Sequence, residues 1–248
     1  MSIATKSIID SGSAGVLIDI ECHLSNSLPG ITIIGVASKS VDEAKERLKG
    51  AFASSKLNLP KKKVTINLAP ADIPKEGSGF DLAIALSILV ATQQIPAGVA
   101  EYIALGELGL DGTVRPIRGI LGRLIKAQKL GYTKFIIPTA NAKQANLIPN
   151  IEFLAVNSID EAVQSLATDI KPTKSSSVHI QNTTNHKPAP NFNEVIGQNT
   201  AKRAMEIAAA GQHNIMLSGA PGTGKSMLAK ALPSILPELS REEVIDTT

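Results

Sequence analysis

Apolar and polar residues alternate over Ser7–Asp10 and Val16–Cys22, which predicts two strands joined by the turn Ser11-Gly12-Ser13, and Ile31–Val36 predicts a third. The period then changes to that of a helix over Val41–Ser54, where Val41, Ala44, Leu48, Ala51 and Phe52 form one apolar face. Val64–Leu68 reads as a strand. Phe80–Ala91 is almost wholly apolar, the mark of a helix buried on every side. Tyr102–Glu107 and Thr113–Pro116 flank the turn Gly109-Leu110-Asp111-Gly112, and a helix over Ile120–Leu130 stops at Gly131. Strand Lys134–Ile137 follows, and Ala140–Asn146, Glu152–Val156 and Ile159–Leu166 complete the pattern. Hairpins and helical crossovers both occur, so a mixed α/β (α+β) domain is expected over residues 1–168.

The pattern stops at Asp169. The stretch 169–191 is polar, carries prolines and has no periodicity, and so predicts a flexible linker. His179 and His186 stand in it without neighbouring ligands and are read as linker residues. Periodicity resumes in a second region, 192–248: a helix over Thr200–Ala210, a strand over Asn214–Ser218, a glycine-rich loop, and a helix from Lys225 to Leu232. This is the opening of a P-loop α/β domain.

Composition narrows the class only slightly. Apolar residues make up 43% and charged residues 19% of 248, a balance that supports a packed core. No apolar run reaches the roughly 18 residues that span a bilayer, and no export signal is read at the start, so a cytoplasmic protein is expected. The lone Cys22 lies in an apolar strand and reads as a buried, inert thiol. The net charge of +3 divides evenly along the chain, with 17 basic and 15 acidic residues up to Thr168 and 8 and 7 beyond it. Neither part is a basic module. The triplet Lys61-Lys62-Lys63 reads as the solvated start of a strand.

The most specific chemistry lies in Gly219-Ala220-Pro221-Gly222-Thr223-Gly224-Lys225-Ser226, which meets G-x-x-x-x-G-K-S in full. Glycines let backbone N–H groups wrap a phosphate that side chains would obstruct. Lys225 supplies an ammonium for the β- and γ-phosphates, and Ser226 a hydroxyl ligand for Mg²⁺ carried by the nucleotide. ATP and Mg²⁺ are therefore the expected cofactors. The context is right as well, with Ile215-Met216-Leu217 before the loop and an amphipathic helix after it.

Val195-Ile196-Gly197-Gln198, the helix with Ala201-Lys202-Arg203-Ala204, and Gly211-Gln212-His213-Asn214 resemble the start of an AAA+ ATPase module of the magnesium-chelatase-related branch. The resemblance implies that Val195, Ile196 and Gly197 pack near the adenine. His213 reads as fixing the strand start. Further upstream, the run from Asn67 to Ala85 (Asn67-Leu68-Ala69-Pro70-Ala71-Asp72-Ile73-Pro74-Lys75-Glu76-Gly77-Ser78-Gly79-Phe80-Asp81) is similar to the ComM/YifB family. So are Leu105-Gly106-Glu107-Leu108-Gly109-Leu110-Asp111-Gly112 and Arg115-Pro116-Ile117-Arg118-Gly119. The resemblance covers the chain except the linker. It implies a Lon-protease-like N-terminal domain (the ribosomal protein S5 domain 2-like fold) joined to an AAA+ module. It also implies a hexameric bacterial motor that drives DNA branch migration in natural transformation. A chelatase-like metal-insertion motor is the alternative.

Lon-type peptidases use a serine with a lysine as its base. By the same resemblance the serine position falls on Gly79 and the lysine position on Leu121, so both groups are missing and peptidase activity is not expected. Lys75, Glu76 and Asp81 read as capping the buried helix, and Asp111-Gly112 as turn chemistry beside Glu107. Arg115, Arg118 and Arg123 form a basic cluster read as a solvated face. Hydrolysis also requires a Walker B carboxylate pair and an arginine finger. Neither is found before Thr248. Ser240-Arg241-Glu242-Glu243 reads as the capping box of another helix, so the chain is expected to be a truncated piece of a longer ATPase that binds nucleotide without turning it over.

Overall fold

The structure is a computed structural model that describes residues 4–11, 14–35, 39–75, 77–168, 172–175 and 190–237. These fall into two compact units, one before residue 180 and one after it.

The first unit is built on an eight-stranded mixed sheet. Its strands are β1 (Ala4–Ser11), β2 (Ala14–Ser25), β3 (Gly30–Ile34), β4 (Lys63–Ala69), β5 (Ile103–Ala104), β8 (Lys134–Pro138), β9 (Glu152–Val156) and β10 (Thr173–Lys174), in the order β10-β9-β8-β5-β1-β2-β4-β3. β1, β5, β8 and β9 run parallel, and β2 is antiparallel to both its neighbours, β1 and β4. Two further strands, β6 (Glu107–Leu108) and β7 (Val114–Arg115), form a separate hairpin around the expected turn.

Helices cover both faces. α1 (Lys39–Ser54) buries Ala44, Leu48, Ala51 and Phe52, the stripe its spacing predicts; the Val41 side chain lies outside the described residues. α2 (Asp81–Ala91) is buried at every position from Asp81 to Val90. α5 (Ile159–Ala167) packs into the same core through Ile159 and Ala162. α3 (Ile120–Lys129) lies across the opposite face, and the short α4 (Ala142–Ala145) packs beside it. The alternation of β1 displays both layers: the Thr5 hydroxyl donates to Ala83 O at 2.9 Å and Ile9 joins the core with α2, while Asp10 reaches Arg123 and Lys126 of α3.

Gly35 ends β3 at φ +105, and a Cβ there would lie 2.3 Å from Leu68 O, so only glycine allows the two strands to part at that point. Residues 102–107 differ from the continuous strand expected there. Only Ile103–Ala104 forms a strand of the sheet: the Leu105 N–H still bonds the Ile136 carbonyl of β8, but the Gly106 N–H turns to the Gly79 carbonyl instead. Within the stretch read as a linker, Thr173–Lys174 adds an edge strand antiparallel to β9. Residues 176–189, with His179 and His186, lie outside the described residues, as do Glu76 and Ser240–Glu243.

In the second unit, α6 (Asn199–Ala210) and α7 (Lys225–Ala231) pack around Phe192, Val195, Met205, Leu228 and Ala231. The expected strand at Asn214–Ser218 is not formed. It has no partner among the described residues, and Met216 is 88% exposed; a strand is completed by a neighbour's hydrogen bonds, which apolar patterning alone does not supply. No helix among the described residues is long and apolar enough to cross a membrane.

Candidate functional site

The phosphate loop takes the shape its glycines predict. Gly219, Gly222 and Gly224 have φ of +155, +81 and +83, and a Cβ at Gly222 or Gly224 would stand in open space. Neither of those two positions is crowded, so the backbone there is open to approach. Lys225 begins α7 and folds back over the loop, donating from Nζ to Gly219 O at 2.8 Å and Ala220 O at 2.6 Å, with Thr223 Oγ1 at 3.4 Å. Its ammonium thus occupies the concave side of the loop, held by neutral carbonyls. An oxyanion arriving there offers a stronger, charge-assisted partner. The Ser226 hydroxyl is exposed and makes no hydrogen bond among the described residues, so it is free to join a metal ion. The donor set present, one mobile ammonium, one free hydroxyl and a bare backbone arch, fits a magnesium-bound polyphosphate.

The segment expected at the adenine is placed unevenly. Val195 is 5% exposed and committed to the core of the unit, whereas Ile196 is 95% exposed and Gly197 has φ +74. Ile196 is thus the side chain available for a base. The next residue, Gln198, reaches the loop itself: its Nε2 donates to Thr223 O at 3.1 Å. The sequence reading did not assign it. A glutamine next to a motif carries no spacing signal of its own, and only the fold brings it to residue 223. His213 stacks over Gly211, where a Cβ would lie 2.6 Å from its ring, and its N–H bonds to Ala208 O, closing the end of α6. No cluster of metal-ligating side chains occurs among the described residues.

In the first unit, the two positions that the Lon resemblance assigns to a dyad, Gly79 and Leu121, are both described. Gly79 faces α3 and its approach, since a Cβ there would lie 2.9 Å from Arg123 Nη1 and 3.3 Å from Ile117 Cδ1. Leu121 is 2% exposed on that same helix. Neither Gly79 nor Leu121 carries a hydroxyl or an amine, and the Arg123 guanidinium borders the first of them. Ser78, one place earlier, is turned away to bond Glu107, which also lies 3.5 Å from Arg115.

Asp81 stands in the first turn of α2, where a carboxylate complements the helix dipole as read, but it and Lys75 do more than that. Asp81 is completely buried and accepts from Arg47 Nε at 2.6 Å, Arg47 Nη2 at 3.1 Å and the Leu108 N–H at 3.2 Å, tying α1, α2 and β6 together. Burial pushes its carboxyl above the ordinary value, while Arg47 and the Leu108 N–H pull it back. Lys75 is also fully buried, donates to Pro70 O, and is held below its ordinary pKa by desolvation, against the pull of Asp72. Asp111 behaves as a turn residue, accepting from the Thr113 N–H at 3.1 Å and hydroxyl at 2.6 Å. Arg123 is not simply solvated: it donates to Asp10 at 3.2 Å with Lys126 on the same carboxylate. Lys61, Lys62 and Lys63 are exposed at the start of β4, as read.

The mixed sheet of the first unit and the G-x-x-x-x-G-K-S loop of the second, taken together, define a class, and comparison with known proteins gives the same one. Residues 20–141 match the family described as subunit ChlI of Mg-chelatase, and residues 191–248 match magnesium chelatase, subunit ChlI. Within that class the chain belongs to the ComM/YifB family. It is 39% identical over 259 residues to competence protein ComM of Haemophilus influenzae, covering 100% of this chain and 49% of that protein. It is 40% identical over 237 residues to the uncharacterized protein YifB of Escherichia coli, covering 93% of this chain and 45% of that one. The chain thus spans about half the length of the curated relatives it matches. Lon protease 2 of Bacillus subtilis is 34% identical over 115 residues, 45% of this chain and 20% of the protease, in keeping with a Lon-like domain.

Proposed function

We propose that residues 219–226 bind the triphosphate of ATP with Mg²⁺, and that the protein works as an AAA+ ATPase. The observation that carries this reading is the placement of Lys225. Its ammonium already sits 2.8 and 2.6 Å from the carbonyls of Gly219 and Ala220, in a loop where a Cβ at Gly222 or Gly224 would meet open space. Gly219, Ala220, Pro221, Gly222, Thr223 and Gly224 supply the backbone, Lys225 meets the β- and γ-phosphates, Ser226 joins Mg²⁺, and Ile196 with Gly197 borders the base. A magnesium ion held through the Ser226 hydroxyl would supply charge neutralisation at the phosphates. The test is calorimetric titration of the chain with MgATP. Lys225→Ala is expected to remove binding, and equal affinity in the two proteins refutes the reading.

Family membership supports a wider role, as a homo-hexameric motor on branched DNA during transformation or recombination. The name of the Haemophilus influenzae relative, a competence protein, agrees with it. A chelatase-like metal-insertion motor is the second reading, favoured by the ChlI matches at both ends of the chain. The two separate on whether forked DNA or a chelatase partner stimulates phosphate release by the full-length protein. For the first unit, Gly79 and Leu121 at the dyad positions favour assembly or partner contact over peptide cleavage. The protein is proposed to reside in the cytoplasm.

A further inference from the structure

Gln198 joins three parts of the second unit. Its backbone carbonyl accepts from the Lys202 N–H at 2.9 Å and so begins α6. Through the chain it continues the segment Val195-Ile196-Gly197. Its side chain crosses to the phosphate loop, where Nε2 lies 3.1 Å from Thr223 O. A carbonyl can only accept, so the side-chain nitrogen must face it. Gln198 holds φ +55 directly after Gly197 at +74, a left-handed conformation that residues other than glycine seldom adopt. Such a conformation persists where surrounding contacts over-determine it, and such sites concentrate at function. The residue it grips is the middle of the arch: Thr223 stands between Gly222 and Gly224, and its hydroxyl donates to Ala220 O at 2.9 Å. Glycines on both sides leave that arch free to flex. The carbonyl of Thr223 is therefore held by Gln198 and its hydroxyl by Ala220.

We infer that Gln198 is a positioning residue for the phosphate loop, holding the Gly222-Thr223-Gly224 arch in the shape that receives a polyphosphate. This rests on the nucleotide reading above and adds a residue to it. Gln198 touches a backbone carbonyl of the loop, so its effect falls on the phosphate chain and is indifferent to the base.

The test titrates the full chain with MgATP and, separately, with magnesium and inorganic triphosphate, in the native protein and in Gln198→Met, which keeps the side-chain length and has no donor. Loss of one hydrogen bond is expected to weaken both ligands by the same factor, about five- to tenfold. Amide shifts of Gly222 and Gly224 should move in the ligand-free variant. Unchanged affinity for both ligands overturns the inference. Weaker ATP with unchanged triphosphate also overturns it, since the amide would then serve the base. Should Gln198→Met not fold, Gln198→Glu, which also lacks the donor, is read by the same two titrations. A native chain that binds neither ligand refutes the nucleotide reading and the inference with it, whereas native binding with an indifferent variant refutes the inference alone.

Discussion

Replacing Asp81 with alanine removes a carboxylate whose side chain is 1% exposed and leaves Arg47, 18% exposed, without its bidentate partner. Removing one member of a buried ion pair costs about 3–5 kcal/mol, because the charge left behind was desolvated on the strength of the pairing. Arg47 keeps some access to water, which points to the lower end. The Leu108 N–H loses its acceptor as well, adding about 1 kcal/mol if it stays dry. The expected loss is about 3–4 kcal/mol, or roughly 10 °C in Tm for a unit of this size. The double substitution Arg47→Met with Asp81→Leu removes both charges and keeps the volume, and should return to within about 2 kcal/mol of the native protein. The chain has no Trp and two Tyr, Tyr102 and Tyr132, both in the first unit, so tyrosine fluorescence during urea unfolding reports on that unit alone. A single substitution costing under 1 kcal/mol, or a double substitution as damaging as the single, would refute the reasoning.

Three further outcomes are expected. Burial raises the Cys22 thiol to about 11 from 9.0, so at pH 8 its thiolate is about one part in a thousand, and alkylation should run on the order of a hundredfold slower than for a free thiol. The folded value lies above the unfolded one, so this group contributes stability below pH 9 that is lost as pH rises toward 11; urea midpoints that rise across that window for the native chain relative to Cys22→Ala contradict the sign. Gly35→Ala, with its Cβ 2.3 Å from Leu68 O at φ +105, should destabilise the first unit by about 3 kcal/mol or more, and a neutral urea midpoint would show that β3 can shift to accept it. Gly79→Ser should fold, since the clash at 2.9 Å is with the end of the Arg123 side chain, and should not cleave casein, because Leu121 offers no base; measurable proteolysis would overturn the reading of those two positions.

The sequence by itself determined whatever depends on near neighbours in the chain. The stripe of α1, the all-round burial of α2, the turn at Asp111-Gly112 and the phosphate loop up to Ser226 are written in local periodicity, turn chemistry and one strict spacing. The ComM/YifB resemblance was legible for the same reason, as runs of contiguous residues. Tertiary structure decided where partners come from far along the chain. Nothing near Asp81 announces Arg47, 34 residues away, so a residue with the look of a helix cap proved to be half of a buried pair. Val195 and Ile196 are alike in composition, yet packing sends one into the core and leaves the other in solvent. Asn214–Ser218 has a strand's apolar pattern but, among the described residues, no neighbour to complete its hydrogen bonds. Gln198 gained its role by coming within 3.1 Å of a carbonyl 25 residues on. A side chain's chemistry is local, whereas its desolvation and its partner are set by the whole fold.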